Sequence, residues 1–245
     1  MRMNSPTGKR ILALVRHGDF AHPGEQAAVD LLMAGRVPSD RETLLDVGCG
    51  RGGTLDALRR RGWSRCIGLD VDEETIAEAR RCYPDCHFLA GSVDDLPTLL
   101  PEPVDLIGLW TSFYAFEDQS TALRRMRAVA KPSAELRMLD YALWRGGRGE
   151  LPKRERATSW KPLQPAVFAD LAAAERWEVT RLDDISNRFV GWYRDLVGRI
   201  QAKDAEIQAR YGDDWFEFVV AFYTGLLETM EAGELGGALV IARAA

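Results

Sequence analysis

Short apolar runs alternate with amphipathic stretches through the first half of the chain, a pattern that predicts strands separated by helices. Thr43 to Val47 (TLLDV) is a buried strand by this criterion, followed by Cys66 to Leu69, His87 to Ala90, Val104 to Trp110 and Glu135 to Tyr141. Between them Thr54 to Arg61, Glu73 to Cys82 and Thr121 to Ala130 have helical spacing. Asp72 stands where an N-cap belongs, and Lys131-Pro132 closes the third helix. Strands joined through helices imply right-handed crossovers and a parallel sheet covered on both faces. Pro165 to Ala174 adds a helix and Trp177 to Leu182 a strand.

The last third has a different rhythm. Val190 to Arg210 carries Leu196, Val197, Ile200 and Ile207 at helical spacing. Trp215 to Glu231 carries Phe216, Val219, Val220, Phe222, Tyr223, Leu226 and Leu227 in the same way, so two amphipathic helices are expected. Gly233 and Gly236-Gly237 end them, and Ala238 to Ala242 (ALVIA) reads as a final strand. About 45 residues therefore stand before the last strand, too many for a plain connection. The expected fold is α/β: one domain over 1–245 with a Rossmann-like, doubly wound, mostly parallel seven-stranded sheet. Residues 186–232 form a helical cap inserted before the last strand, and residues 1–40 a helical N-terminal lid.

Composition narrows the function classes. A net charge of −5 argues against a nucleic-acid platform. The basic runs Arg59 to Arg61 and Arg145 to Arg156 read as solvated faces. There is no run of about 18 apolar residues, so no membrane-crossing helix is expected. Ile11 to Val15 is too short for the apolar core of a signal peptide, so a cytoplasmic protein is predicted. The four cysteines fit reduced thiols. Cys82 and Cys86 have C-x3-C spacing without a second ligand pair, so no metal site is expected.

The richest chemistry lies in Leu44-Leu45-Asp46-Val47-Gly48-Cys49-Gly50-Arg51-Gly52-Gly53-Thr54. A strand runs into a glycine-dense turn that opens a helix. Glycines there allow positive φ and close ligand approach, and helix N-terminal amides face the crevice at the strand's carboxyl end. Asp46 is placed to hold a ligand ammonium and would sit badly beside a pyrophosphate. Asp70 ends the next strand about 20 residues on, where a carboxylate accepts both ribose hydroxyls of an adenosine.

With these residues the chain resembles the class I S-adenosylmethionine (SAM)-dependent methyltransferases. LLDVGCGRGGT resembles their first motif, and Gly68-Leu69-Asp70-Val71-Asp72 their acidic ribose-binding strand end. Ala90 to Pro97 (AGSVDDLP) resembles the stretch beside the adenine, Val104 to Leu109 the fourth motif, and Lys131 to Leu136 the turn before the fifth strand. The resemblance covers about Leu44 to Tyr141. It implies SAM as cofactor and S-adenosylhomocysteine as product. It also implies that Gly48, Gly50 and Gly52 shape the loop around the methionine end, that Asp46 places the amino group directly or through water, and that Asp70 binds the ribose. Val71 and Val93 would enclose the adenine, and Trp110 would contact the amino-acid end. Ser92 stands where the family usually has Asp, which leaves the adenine amine to Asp94 or to backbone. Ser133-Ala134 stands where Gly-Gly is usual.

The acceptor side is read from three segments. Tyr114 follows the fourth strand as a candidate hydrogen-bond donor or base, with Phe113 beside it as substrate contact or as packing. Arg16 to Glu25 holds two of the three histidines. His17 or His22 serves as general base or has a structural lid role, with Asp19 and Phe20 as substrate contacts. In the cap, Arg188, Trp192, Tyr193, Arg194 and Tyr223 line an acceptor pocket or pack as core, and aromatic walls there would suit a cationic amine. The leading expectation is methyl transfer to N, O or C of a small molecule, in a monomer or homodimer without nucleic-acid or membrane partners. The alternatives are a SAM-fold protein without transfer activity, such as a cyclase, or a SAM-binding regulatory or protein-modifying module.

Overall fold

The computed structural model describes residues 1–145 and 160–245. The basic run from Arg145 to Arg156 lies, beyond Arg145, outside the described residues.

In chain order the elements are α1 (Pro6–Val15), α2 (Glu25–Leu32), β1 (Thr43–Val47), α3 (Gly53–Arg60), β2 (Arg65–Asp70), α4 (Glu73–Cys82), β3 (His87–Ala90), α5 (Leu96–Leu99), β4 (Val104–Trp110), α6 (Gln119–Ala128) and β5 (Ala130–Ala142). Then come α7 (Pro165–Ala174), β6 (Trp177–Asp184), α8 (Ser186–Ala202), α9 (Asp204–Tyr211), α10 (Asp213–Glu231) and β7 (Gly236–Ala244). The strands form one seven-stranded sheet in the order β3-β2-β1-β4-β5-β7-β6. The pairs among β1 to β5 are parallel, while β7 lies antiparallel between β5 and β6. The expected mostly parallel, doubly wound sheet is present.

Most element ends shift by a few residues from the sequence reading, and two differences go further. The stretch expected as one helix over Val190 to Arg210 is two, α8 and α9, meeting at Lys203. Lys131-Pro132 does not close α6; the helix ends at Ala128, and the pair sits near the start of a long β5 where its register against β4 slips. Proline is tolerated there because a bulge needs no amide from it.

Both sheet faces are covered, and neighbouring strand residues alternate between them. Leu44, Leu106, Leu139 and Trp110 join one apolar cluster with α1 to α4 and the late helices. Leu45, Ile107, Leu109 and Met138 join the other with α5, α6 and α7. That is why these strands read as continuous apolar runs. Because β1, β2 and β4 run parallel and in register, their carboxyl ends share one edge, and the loops leaving them converge there.

Candidate active site

At that shared edge opens a cavity of about 650 Å³. Its floor is the glycine turn after β1. Gly48 and Gly50 have φ of 86° and 54°. A Cβ on Gly48 would stand 2.4 Å from Ser112 Cβ, and one on Gly50 2.8 Å from Ala21 Cβ. The turn is tied to β2: the Gly48 and Cys49 amides donate to Leu69 O at 2.7 and 3.0 Å, and the Gly50 amide to Asp70 Oδ2 at 2.9 Å. Asp70 Oδ1 accepts from the Asp72 amide and from Lys9 Nζ of α1, at 3.0 and 3.1 Å. Val71 and Val93 line the cavity, Val71 at its open mouth with 71% of its surface exposed.

Asp46 lies beneath this floor, 2% exposed, and its Oδ1 is buried without a hydrogen-bond partner. Burial, and then the charge of Asp70, push its carboxyl well above the usual range. A buried carboxyl with an unsatisfied oxygen is a receptor waiting for a donor, because leaving it unpaired costs free energy. Gly52 sits just behind the turn, where a Cβ would meet Phe88, and Asp94 is exposed and pairs with Arg125 at 3.6 Å. Neither is on the cavity wall. The capping box at Ser92 and Asp95 turns the chain there instead.

The N-terminal segment closes over the floor. Asp19 lines the cavity, but its carboxylate is already engaged by Arg51 Nε at 2.7 Å and the Tyr83 hydroxyl at 2.9 Å. Phe20 lines it too. His17 is exposed and His22 is 1% exposed, and neither reaches the cavity wall. The His22 ring contacts Thr54 Oγ1 at 3.0 Å and Pro23 O at 3.1 Å. Burial, with Arg16 nearby, drives its pKa down to about 3, so the ring is neutral and joins the lid to the first turn of α3.

The opposite half of the cavity is aromatic. Tyr114, Tyr141, Trp160, Phe222 and Tyr223 line it. The rings of Tyr114, Tyr141 and Trp160 lie 4.8 to 5.0 Å from one another, between centroids. Behind them the Tyr141 hydroxyl bonds that of Tyr193. Burial and neighbouring phenols raise Tyr141 far above its ordinary range, so it stays protonated. Buried Asp140 holds this wall in place: it accepts from the amides of Phe113 and Tyr141, both at 2.7 Å, and of Tyr114 at 3.4 Å. Burial lifts its pKa to about 7 against the pull of those amides.

Other expected contacts also stand off the cavity wall. Phe113 is fully buried against Phe116 and Phe168 in the core on the other sheet face. Trp110 is 3% exposed and stacked on His22, with its Nε1 buried and unpartnered. Trp192 packs where a side chain on Gly24 would be. Tyr193 is a layer behind the wall. Arg188 and Arg194 are also off the wall, and Arg194 pairs with Glu231. Sequence reasoning missed Arg16, Tyr141, Trp160 and Phe222. Tyr141 had a signal, since it ends a parallel strand at the edge where ligands bind; Trp160 had none.

Residues 44–133 match the family described as a methyltransferase domain. The segment is a methyltransferase domain in a class I SAM-dependent methyltransferase fold. Over 77 residues the chain is 39% identical to trans-aconitate 2-methyltransferase of Escherichia coli, which is 30% of this chain and 29% of that enzyme. The chain thus spans about three tenths of the length of the curated relatives it matches. Over nearly its whole length the methyltransferase fold superposes on solved structures of low identity. The [4+2]-cyclase SpnF gives a TM-score of 0.79 at 20% identity, covering 97% of this chain and 92% of that one. Mycolic acid cyclopropane synthase CmaA1, complexed with S-adenosylhomocysteine and CTAB, gives 0.82 at 16%, covering 97% and 94%.

Proposed function

We propose that the protein transfers the methyl group of SAM to an N, O or C atom of a small-molecule acceptor, releasing S-adenosylhomocysteine. The observation that carries the reading is the division of one cavity. Its floor has a Cβ-free glycine turn and Asp70, with the unsatisfied carboxyl of Asp46 buried beneath them; its far wall is aromatic. The floor fits SAM: Asp46 takes the ammonium directly or through water, Asp70 the ribose hydroxyls, and Val71 and Val93 the adenine. Bound SAM supplies an electrophilic methyl on a sulfonium, whose sulfur keeps the electron pair when the methyl leaves. The aromatic wall then aligns the acceptor and excludes water, which is where most of the rate comes from in an in-line transfer.

Neither lid histidine supports a role as general base, since neither lines the cavity and burial leaves His22 a weak base with a pKa of about 3. Tyr114 stands on the acceptor wall as hydrogen-bond partner, with Asn4 Nδ2 at 3.5 Å from its hydroxyl. A proton released by the acceptor passes to solvent through the cavity mouth. Among the described residues no helix is long and apolar enough to cross a membrane. With all four cysteines free, we place the protein in the cytoplasm.

The test is mass spectrometry after incubation with methyl-labelled SAM and a metabolite library that includes trans-aconitate. Label should appear on one acceptor class, in step with S-adenosylhomocysteine. Tight SAM binding with no label on any acceptor would sink transfer and leave a non-transferring enzyme, such as a cyclase, or a sensor.

A further inference from the structure

Arg16 is the one enclosed cation on the wall that no carboxylate among the described residues meets. It follows α1 at the point where the chain turns into the lid, and it is 5% exposed. Its Nη1 donates to Phe20 O at 2.9 Å, while its Nε is buried with no partner. The other two enclosed cations on the wall are neutralised: Lys9 by Asp70 and Asp72, Arg51 by Asp19 and Glu78. Among the described residues no carboxylate pairs with Arg16. An enclosed guanidinium without a counter-ion is costly unless a ligand completes it, and its planar fork matches a carboxylate.

The location says which carboxylate. The Phe20 carbonyl that Arg16 binds belongs to the lid stretch that packs on the glycine turn, where Ala21 faces Gly50 and Asp19 O faces Gly53. Beneath the same turn lies the unsatisfied oxygen of Asp46. An unpaired cation above and an unpaired carboxyl below are complementary to an α-amino acid, which carries one group of each sign. We propose that Arg16 binds the α-carboxylate at the amino-acid end of the cofactor, so that the lid is completed only when the cofactor is in place. This rests on the SAM reading above and assigns to Arg16 a recognition role within it.

The test removes the charge from each side in turn. Calorimetry compares SAM with decarboxylated SAM on the wild-type protein, on Arg16→Gln and on Arg16→Lys. The wild type should prefer SAM by about tenfold or more, the scale of a charge-assisted hydrogen bond. Arg16→Gln should bind both equally, and Arg16→Lys should restore part of the preference. Thermal melting should show Arg16→Gln at least as stable as wild type without ligand, because an uncompensated charge has gone. Equal wild-type affinity for the two compounds overturns the proposal, whatever the variants do. So does an undiminished preference in Arg16→Gln; if acceptor KM rises in that variant instead, the carboxylate belongs to the acceptor. A wild-type protein that melts normally and binds neither compound defeats the SAM reading itself, a separate outcome.

Discussion

Asp70 shows how much one side chain is asked to do. Its carboxylate closes the glycine turn through Gly50, shapes the start of the next loop through Asp72, and pairs with Lys9. A carboxylate has about four acceptor sites, so about one is left for a ribose hydroxyl and a second hydroxyl must share or displace one of these partners. Replacing Asp70 by Ala should weaken SAM binding by at least about 1 kcal/mol, read by calorimetry. Unchanged affinity would move the ribose elsewhere. Cys49, in the same turn, is buried and its thiol pushed far up by burial and by Asp46 and Asp70, so it packs and does not react.

At the scale of elements, the lid is joined to the sheet by defined contacts. His22 reaches Thr54 in the first turn of α3, Arg51 and Tyr83 hold Asp19, and Arg199 of α8 pairs with Glu25 at the start of α2 at 2.6 Å. The His22 link carries a pH dependence whose sign is fixed. Its folded pKa, about 3, lies below the 6.5 of an ordinary histidine. The unfolded chain therefore binds the proton first as pH falls, and the contribution is intact above about 6.5 and lost progressively towards 3. Chemical denaturation across that range should show His22→Gln losing less stability on acidification than wild type. Identical slopes would mean that the ring is not buried in solution. No activity limb near neutral pH should disappear in this variant.

For the whole molecule, the aromatic wall is assembled from segments far apart in the chain: Tyr114 after β4, Tyr141 at the end of β5, Trp160 before α7, and Phe222 and Tyr223 on α10. The cofactor floor comes from the consecutive β1 to β3 region and the lid. The two halves should therefore separate in mutants. Tyr223→Ala should raise KM for the acceptor several-fold while leaving SAM affinity within about twofold; equal losses on both sides would show that the cap also shapes the cofactor half. α8 to α10 connect β6 to β7, which lies antiparallel between β5 and β6.

The sheet was legible because its signals are local. Thr43–Val47, His87–Ala90 and Val104–Trp110 are apolar on both faces, and Asp72 caps α4 with its own side chain. The glycine turn and Asp70 were legible for the same reason, since positive φ and a strand-end carboxylate are demands that a few adjacent residues meet. The split at Lys203 escaped because the apolar spacing continues through it. Which aromatic residues face the cavity was settled only by packing: Phe113 and Tyr114 are neighbours in sequence, yet one lies in the core on the far side of the sheet and the other on the wall. Periodicity says that a side chain is buried, and only tertiary structure says against what. Likewise, a histidine's type advertises a base, but enclosure decided that His22 is a weak one that does not line the cavity. Arg16, unremarkable in sequence, matters because its charge is buried beside a cavity where no carboxylate among the described residues meets it.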